Sequence, residues 1–462
     1  MIPLTLGEIA SATGGRLDAV PDDTMTVSGP VVADSRHIAA GGLFVAVRGE
    51  HVDGHEFAAA AMTGGAVAVL AERPVGVPAI LVGDSVRALG LLAHAALDRL
   101  ADVRVVGVTG SSGKTSTKDL LAQVLVSRGP LVAPPGSYNT EVGVPLTVLT
   151  ADEGTRTLVV EMGARGAGHI AYLCRIAPPR IGIVLNVGSA HLGEFGDRES
   201  IARSKAELVE ALPSAGTAVL NGDDPLVRRM AEQTQARVLM VGESVHADIR
   251  AENVVLDRSG RAGFTLVAPD GTAPVRLGLV GEHQVGNALA AAGAAHALDL
   301  DVGDVAASLT KAHLLSHWRM EVVERPDGVT VVNDAYNANP ESMRAALKAL
   351  VAIAGDRRTW AVLGEMRELG EASAAEHDAL GRLALRLDVD RLVAVGEGAR
   401  PVHVGAAHEG SRGYEAAWVP DIAAALELLR GQVRPGDVVL VKASRAAGLE
   451  RLADALVQEV AG

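Results

Sequence analysis

The chain has 462 residues, of which 42 are basic and 56 acidic, for a formal charge of −14, and it carries one cysteine, Cys174. That balance disfavours a nucleic-acid partner, which would need a basic face, and one thiol excludes both an internal disulfide and a cysteine metal cluster. The length exceeds one ordinary core and points to about three domains, while few aromatics among many Ala, Val and Leu suit helices packed on buried parallel strands.

The N-terminal MIPLTLGEIASATGG has no basic leader, and no run of about 18 uncharged apolar residues occurs anywhere. The expectation is a soluble, cytoplasmic protein with no membrane insertion. Through residue 84 short strands and helices alternate, with GGLFVAV (41–47), AVAVLAE (66–72) and AILVGD (79–84) as the clearest strands. They predict a small α/β unit over residues 1–84. SVRALGLLAHAALDRL (85–100) reads as the helix that opens the next unit.

That helix leads into VRVVGVTGSSGKTSTKD, an apolar strand from Val103 to Val108, a glycine-rich turn and then Lys114-Thr115 at a helix start. Glycines let backbone N–H groups close around phosphate oxygens while the helix dipole faces the anion. Gly110, Ser111, Ser112, Gly113 and Ser116 would line a nucleoside triphosphate, Lys114 would reach its terminal phosphates, and Thr115 would hold magnesium. The pattern departs from GxxxxGK[ST]: Val108 stands where a glycine would, and Gly107, Gly110 and Gly113 are three apart. Behind the loop, Leu120, Leu121, Val124 and Leu125 form a helical apolar stripe that Gly129-Pro130 stops.

Further apolar runs follow at 157–162, 181–187, 217–221 and 237–243, as expected of strands covered on both faces. A less regular, strand-rich stretch (245–280) precedes the helix GEHQVGNALAAAGAAHALDL, closing a central unit over 85–316. From 317 to 462 the rhythm restarts at VTVVNDAYN (329–337), TWAVLGEM (359–366), RLVAVGEG (391–398) and DVVLVKAS (437–444), which predicts a second, Rossmann-like doubly wound unit.

In such sheets the working residues sit at the carboxyl ends of strands. Glu161 ends TLVVE, where a nucleotide site offers a carboxylate to magnesium; it also suits a solvated strand-end acid. His191 follows IGIVLNVGSA, and alone it reads equally as a structural histidine. Lys205, on IARSKAELV, would ordinarily be a solvated helix face. The run Asn333-Asp334-Ala335-Tyr336-Asn337-Ala338-Asn339-Pro340-Glu341-Ser342 is denser in polar groups than a turn needs, although turn and cap chemistry would explain Asn339, Pro340 and Ser342. Arg319, in HWRME at the seam, could neutralise charge as a phosphoryl group departs, or be a linker arginine on the surface.

Together these strings resemble the Mur ligases, the ATP-dependent amide-forming enzymes of peptidoglycan synthesis, and within that family the branch that adds D-alanyl-D-alanine. The motifs are DSRHIAAGGLFVAVRGEHVDGHEF, TGSSGKTSTKD, GSYNTEVGVPLT, VVEMGA, HLGEFGDRESIARSKAE, GEHQVGNALAA, HWRME, DAYNANPES and KASR, and they span the chain. DAYNANPES is the discriminating one. The resemblance implies three α/β domains, of which the central one is a P-loop ATPase-like parallel sheet with helices on both faces. It implies ATP and magnesium, two ions, with Thr115 and Glu161 on one and His191 on the second, and a carbamylated Lys205. It also implies an adenine contact at Asn287 and contacts to phosphate and ribose from Arg319, Asp334 and Tyr336. Ser35, Arg36, Asp53 and His55 are the candidates for the uridine diphosphate end. Asn139 and Thr140 would face the sugar-peptide, and Asn337, Ser444 and Arg445 join Lys205 as further substrate candidates.

The implied substrates are a UDP-MurNAc-tripeptide, with lysine or a diaminopimelate isomer as third residue, and D-Ala-D-Ala; the implied assembly is a monomer. Gln284 stands where the family often has Asn, and Ala443 where it has Gly. The absence of a DNPR string and the presence of DAYNANPES argue against a sister ligase that adds the third amino acid and against a folylpolyglutamate synthetase, a guanine-reading switch would carry NKxD, and a silent scaffold would not keep Lys114, Thr115, Glu161, His191 and Lys205.

Overall fold

The computed structural model describes residues 1–49, 52–188, 192–409 and 415–458, which form three large sheets flanked by helices. The first has five strands in the order Arg16–Asp18, Ala79–Leu81, Ala66–Ala71, Gly42–Val45, Val31–Val32, parallel except for the first pair. The apolar runs at 41–47, 66–72 and 79–84 supply its three inner strands.

The helix Ser85–Asp98 starts because Asp84 accepts the Arg87 N–H at 2.9 Å. It buries Leu89, Leu92 and Ala93 in an apolar cluster that takes Leu6, Ile9, Leu70 and Ile80 from one side and Val144, Leu158 and Ile170 from the other. One continuous core therefore joins the first sheet to the second. Each fully buried aliphatic side chain contributes about 1.5–3 kcal/mol, so this helix is a weld and not a hinge.

The second sheet has nine strands, Gly271–Val280, Arg261–Ala268, Ile249–Leu256, Arg237–Gly242, Thr217–Asn221, Ile181–Val184, Arg104–Thr109, Thr157–Glu161 and Leu131–Val132 in spatial order. All are parallel up to Ile249–Leu256, and the last two in sequence add antiparallel. The irregular 245–280 stretch is this antiparallel extension. The strand expected over 181–187 stops at Val184, because Leu185 to Gly188 leave the sheet to pack beside the glycine loop.

The third sheet has six strands, Glu321–Glu324, Thr330–Asn333, Val438–Lys442, Thr359–Leu363, Arg391–Val395 and Glu415–Val419, parallel except for the first. Its two apolar clusters draw only Val280 from the middle unit, so it meets that unit mainly through polar contacts. The connecting segment is gripped by the helix after the glycine loop: Gln123 bonds both the N–H and the C=O of His313, and Asp119 accepts the Ser316 N–H at 3.0 Å. Among the described residues no helix is long and apolar enough to cross a membrane.

Candidate active site

The carboxyl ends of the second and third sheets face each other across a cleft of about 620 Å³. Its floor is the glycine loop. Gly113, at φ +83°, permits the turn into the helix Lys114–Val124, and a Cβ there would stand 2.4 Å from Asn287 Oδ1. The loop is braced from behind by Asn186, whose Oδ1 accepts the Ser112 N–H at 2.9 Å and whose Nδ2 donates to Ser112 O at 3.2 Å. Ser111 Oγ accepts the Gly188 N–H at 2.9 Å, and Lys114 Nζ donates to Gly110 O at 2.7 Å. Asn287 is buried behind the loop, accepting from Thr117 Oγ1 and donating to Gln284 Oε1. The longer Gln284 side chain thus reaches back to its own helix neighbour.

Glu161 is fully buried at the end of its strand. Its Oε2 accepts from Ser137 Oγ at 3.1 Å and Asn139 Nδ2 at 3.3 Å, whereas its Oε1 has no partner. A buried carboxylate oxygen left bare costs free energy unless a cation or donor reaches it, so the site fits a divalent cation. Among the described residues no three His, Cys, Asp or Glu side chains stand together as a ready metal cage, and a cation here would rely on ligand oxygens as well. Thr140 Oγ1 accepts the Gly143 N–H at 3.2 Å, starting a short helix beside Asn139.

Lys205, 5% exposed, lines the same cleft and has no hydrogen bond to its amine among the described residues. Loss of water, and secondarily the charge of Lys114, push that amine down to about 7. Lys114 is pushed down by the same loss of water, with Glu161 acting against the shift and Arg319 adding to it.

The third unit supplies the roof. Arg319 Nη2 donates to Thr115 Oγ1 at 3.2 Å, and its guanidinium lies 4.1 Å from the Tyr336 ring centre. Trp318 and Met320, on either side, sit at φ +59° and +54°, a conformation that costs a non-glycine residue about 1–2 kcal/mol. Asp334 is spent on holding this turn: Oδ1 accepts the Met320 N–H at 3.0 Å and Oδ2 accepts Lys442 Nζ at 2.6 Å. Asn337 uses its Oδ1 on the Ala338 N–H and its C=O on Lys442. Ser444 Oγ accepts the Arg367 N–H, and Arg445 lies 4.2 Å from the Trp318 ring centre. Ala443 is buried and Gly364 makes room for its methyl group.

The first-unit candidates are not among the residues lining this cleft. Arg36 pairs with Asp34, and Ser35 lies in the same short 3₁₀ turn. His55 is buried with both ring nitrogens engaged, Nδ1 donating to Asp53 at 2.6 Å and Nε2 accepting the Glu72 N–H at 2.9 Å; Asp53 also takes Arg73. His191 lies outside the described residues.

Family models match three segments: the Mur ligase catalytic domain at residues 30–103, the Mur ligase middle domain at 108–295 and the Mur ligase glutamate ligase domain at 318–445. The chain is 52% identical to the UDP-N-acetylmuramoyl-tripeptide--D-alanyl-D-alanine ligase of Mycobacterium tuberculosis, over 99% of this chain and 98% of that one. The chain belongs to the Mur ligase family. It is also 34% identical to the Bacillus subtilis ligase of the same name over 99% of each. Among solved structures it is similar to MurF from Acinetobacter baumannii, with TM-score 0.89, 32% identity and 99% of both chains covered. MurF from Thermotoga maritima in complex with ADP matches with TM-score 0.81 and 34% identity, over 94% of this chain and 98% of that one.

Several contacts of this Mur ligase cleft carry no local signal in the sequence. Asn186 is 74 positions from the serine it braces, and Lys442 is 108 positions from Asp334. Ser137, Arg165, His169, Arg367 and Glu368 also line the cleft. Ser137 falls within GSYNTEVGVPLT, and for the others the cue is position, after the carboxyl end of a strand or at the start of a helix there.

Proposed function

We propose that the protein joins D-alanyl-D-alanine to UDP-N-acetylmuramoyl-tripeptide in an ATP-dependent, ADP-forming reaction that supplies peptidoglycan synthesis. The observation that carries this reading is the meeting of Arg319, from the third unit, with Thr115 of the glycine loop, in one cleft with Lys114, Glu161 and Lys205. A carboxylate is a poor electrophile, so it must first be activated. Its oxygen attacks the γ-phosphorus of ATP, the bond to the departing ADP breaks, and an acyl phosphate results. The dipeptide amine then attacks the carbonyl carbon, loses a proton, and the C–O bond to phosphate breaks to leave the amide.

Lys114 and Arg319 face the charge that moves to the β–γ bridge, where fixed cations in a water-poor site are most effective. Thr115 and Glu161 would hold magnesium, which would neutralise the triphosphate as two anions approach. Lys205, with its amine held near neutrality, is suited to take up CO₂ as a carbamate, converting a buried cation into an anion near Lys114. Asn139 and Thr140 are assigned to the tripeptide end, Ser444 and Arg445 to the dipeptide. Asn287 and Tyr336 are assigned to the nucleotide. Residues 1–84, through Ser35, Arg36, Asp53 and His55, would receive the uridine diphosphate end; 85–316 would bind ATP and 317–462 would close over it. Every residue invoked is on one chain, so a cytoplasmic monomer suffices.

Purified protein given ATP, magnesium, UDP-MurNAc-tripeptide and D-Ala-D-Ala should release phosphate only when all are present, and Lys114→Ala should abolish it. Phosphate release without dipeptide, with no pentapeptide product by mass spectrometry, would overturn the reading.

A further inference from the structure

Three strings far apart in sequence, HWRME, DAYNANPES and KASR, converge on one turn. Arg319 reaches the glycine loop only because Trp318 and Met320 hold left-handed backbone on both sides of it. A turn of that kind persists where surrounding contacts over-determine it. Here the contacts are few and identifiable. The Trp318 C=O accepts the Tyr336 N–H at 3.3 Å, the Trp318 N–H is taken by Glu321 at 3.0 Å, and the Met320 N–H is taken by Asp334 at 3.0 Å. Asp334 is itself held by Lys442, an ammonium 2% exposed whose hydrogen bonds all go to this loop: Asp334 Oδ2 at 2.6 Å, Asn337 O at 2.9 Å and Asp334 O at 3.4 Å. Its partners leave no donor aimed at a ligand.

We propose that Lys442 is a positioning residue for phosphoryl transfer: by fixing Asp334 it fixes the Trp318–Met320 turn and so aims Arg319 at the phosphate that leaves. The inference rests on the reading of Arg319 given above and goes beyond it by assigning the lysine of KASR to the arginine and not to a substrate. Asp334 acts here as the link, with both carboxylate oxygens committed to the turn and to Lys442. Arg445, stacked on Trp318, supports the same turn from the other side.

A double-mutant cycle in the complete reaction tests the assignment, because residues acting as one unit are non-additive. Arg319→Ala, Lys442→Gln and the double variant are compared for kcat and for ADP affinity. The expected result is a kcat loss of at least about tenfold for Lys442→Gln, ADP affinity within about twofold of the parent, and no further loss when the glutamine is added to Arg319→Ala. Lys442→Arg, which keeps charge and donors, should recover part of the rate; it also stands in if the glutamine variant folds poorly. Losses that multiply in the double variant, or an equal fall in ADP affinity, would overturn the positioning role while leaving the reading of Arg319 intact. Full activity in Arg319→Ala would overturn that reading and the positioning role together.

Discussion

Arg319 Nη2 donates to Thr115 Oγ1 at 3.2 Å, so the third unit touches the glycine loop at the hydroxyl assigned to magnesium. The contact crosses a seam that shares almost no apolar core, which makes it easy to remake on a ligand. Removing the guanidinium should therefore act on the transition state more than on nucleotide binding. Arg319→Ala is expected to lower kcat by about 10³-fold, in line with other arginines that face a departing phosphoryl group. Calorimetry should find ADP bound within a few-fold of the parent; an equal loss of both would mean that Arg319 holds ground-state nucleotide.

Glu161 gives a second prediction. Only one of its oxygens is satisfied by protein groups, so Glu161→Gln keeps an acceptor for Ser137 while removing the charge. Thermal stability should change little, because relief of the bare buried oxygen is set against loss of the carboxylate that partly offsets the burial of Lys114. The magnesium concentration for half-maximal rate should rise by about tenfold or more. An unchanged magnesium dependence would assign the bare oxygen to something other than a cation.

What could be read from the sequence follows from locality. The strand, turn and helix around Lys114 lie within twenty-odd consecutive residues, and their period and glycines are visible directly. The strands at Glu321–Glu324 and Glu415–Val419 escaped because they are edges, half exposed and flanked by polar residues, and so lack the continuous apolar run of an inner strand. The brace from Asn186 and the pair Asp334–Lys442 escaped for a different reason: each joins two loops that only sheet topology brings together. The shared core under Ser85–Asp98 shows the same limit, since an amphipathic helix announces that it is buried but not against which neighbours.

The seam itself can be tested at two glycines. Gly193 donates its N–H to Glu368 O at 3.1 Å, and a Cβ on it would stand 2.7 Å from Gly370 N and 3.0 Å from Gly370 Cα. Those are backbone atoms and cannot rotate away. Gly193→Ala should therefore hold the second and third units apart without touching the nucleotide loop. Small-angle scattering should give a larger radius of gyration, and kcat should fall toward the roughly 10²-fold that a misplacement of about 1 Å can cost. ADP affinity should stay near that of the parent. An unaltered scattering profile with full activity would show that this contact does not set how the second and third units meet.

Lys205 carries a stability cost whose pH dependence has a definite sign. Burial, with Lys114 adding to it, brings its amine down to about 7 from an ordinary 10.5. Below the folded value both states carry the proton, and the cost of burying the charge is fully present. Between about 7 and 10.5 the unfolded chain binds the extra proton, so stability rises with pH across that window, and above it the cost is gone. Lys205→Met should accordingly raise Tm most near about pH 6, by an amount that shrinks as pH climbs, while activity is lost. The same amine must be neutral to add CO₂. In ¹³C-bicarbonate the parent should thus show a carbamate resonance that grows as pH rises through about 7, and Lys205→Met should show none. A methionine variant that melts lower at acid pH would mean that the charge is compensated in the fold. A parent with no carbamate signal on the alkaline side would remove the modification from the mechanism.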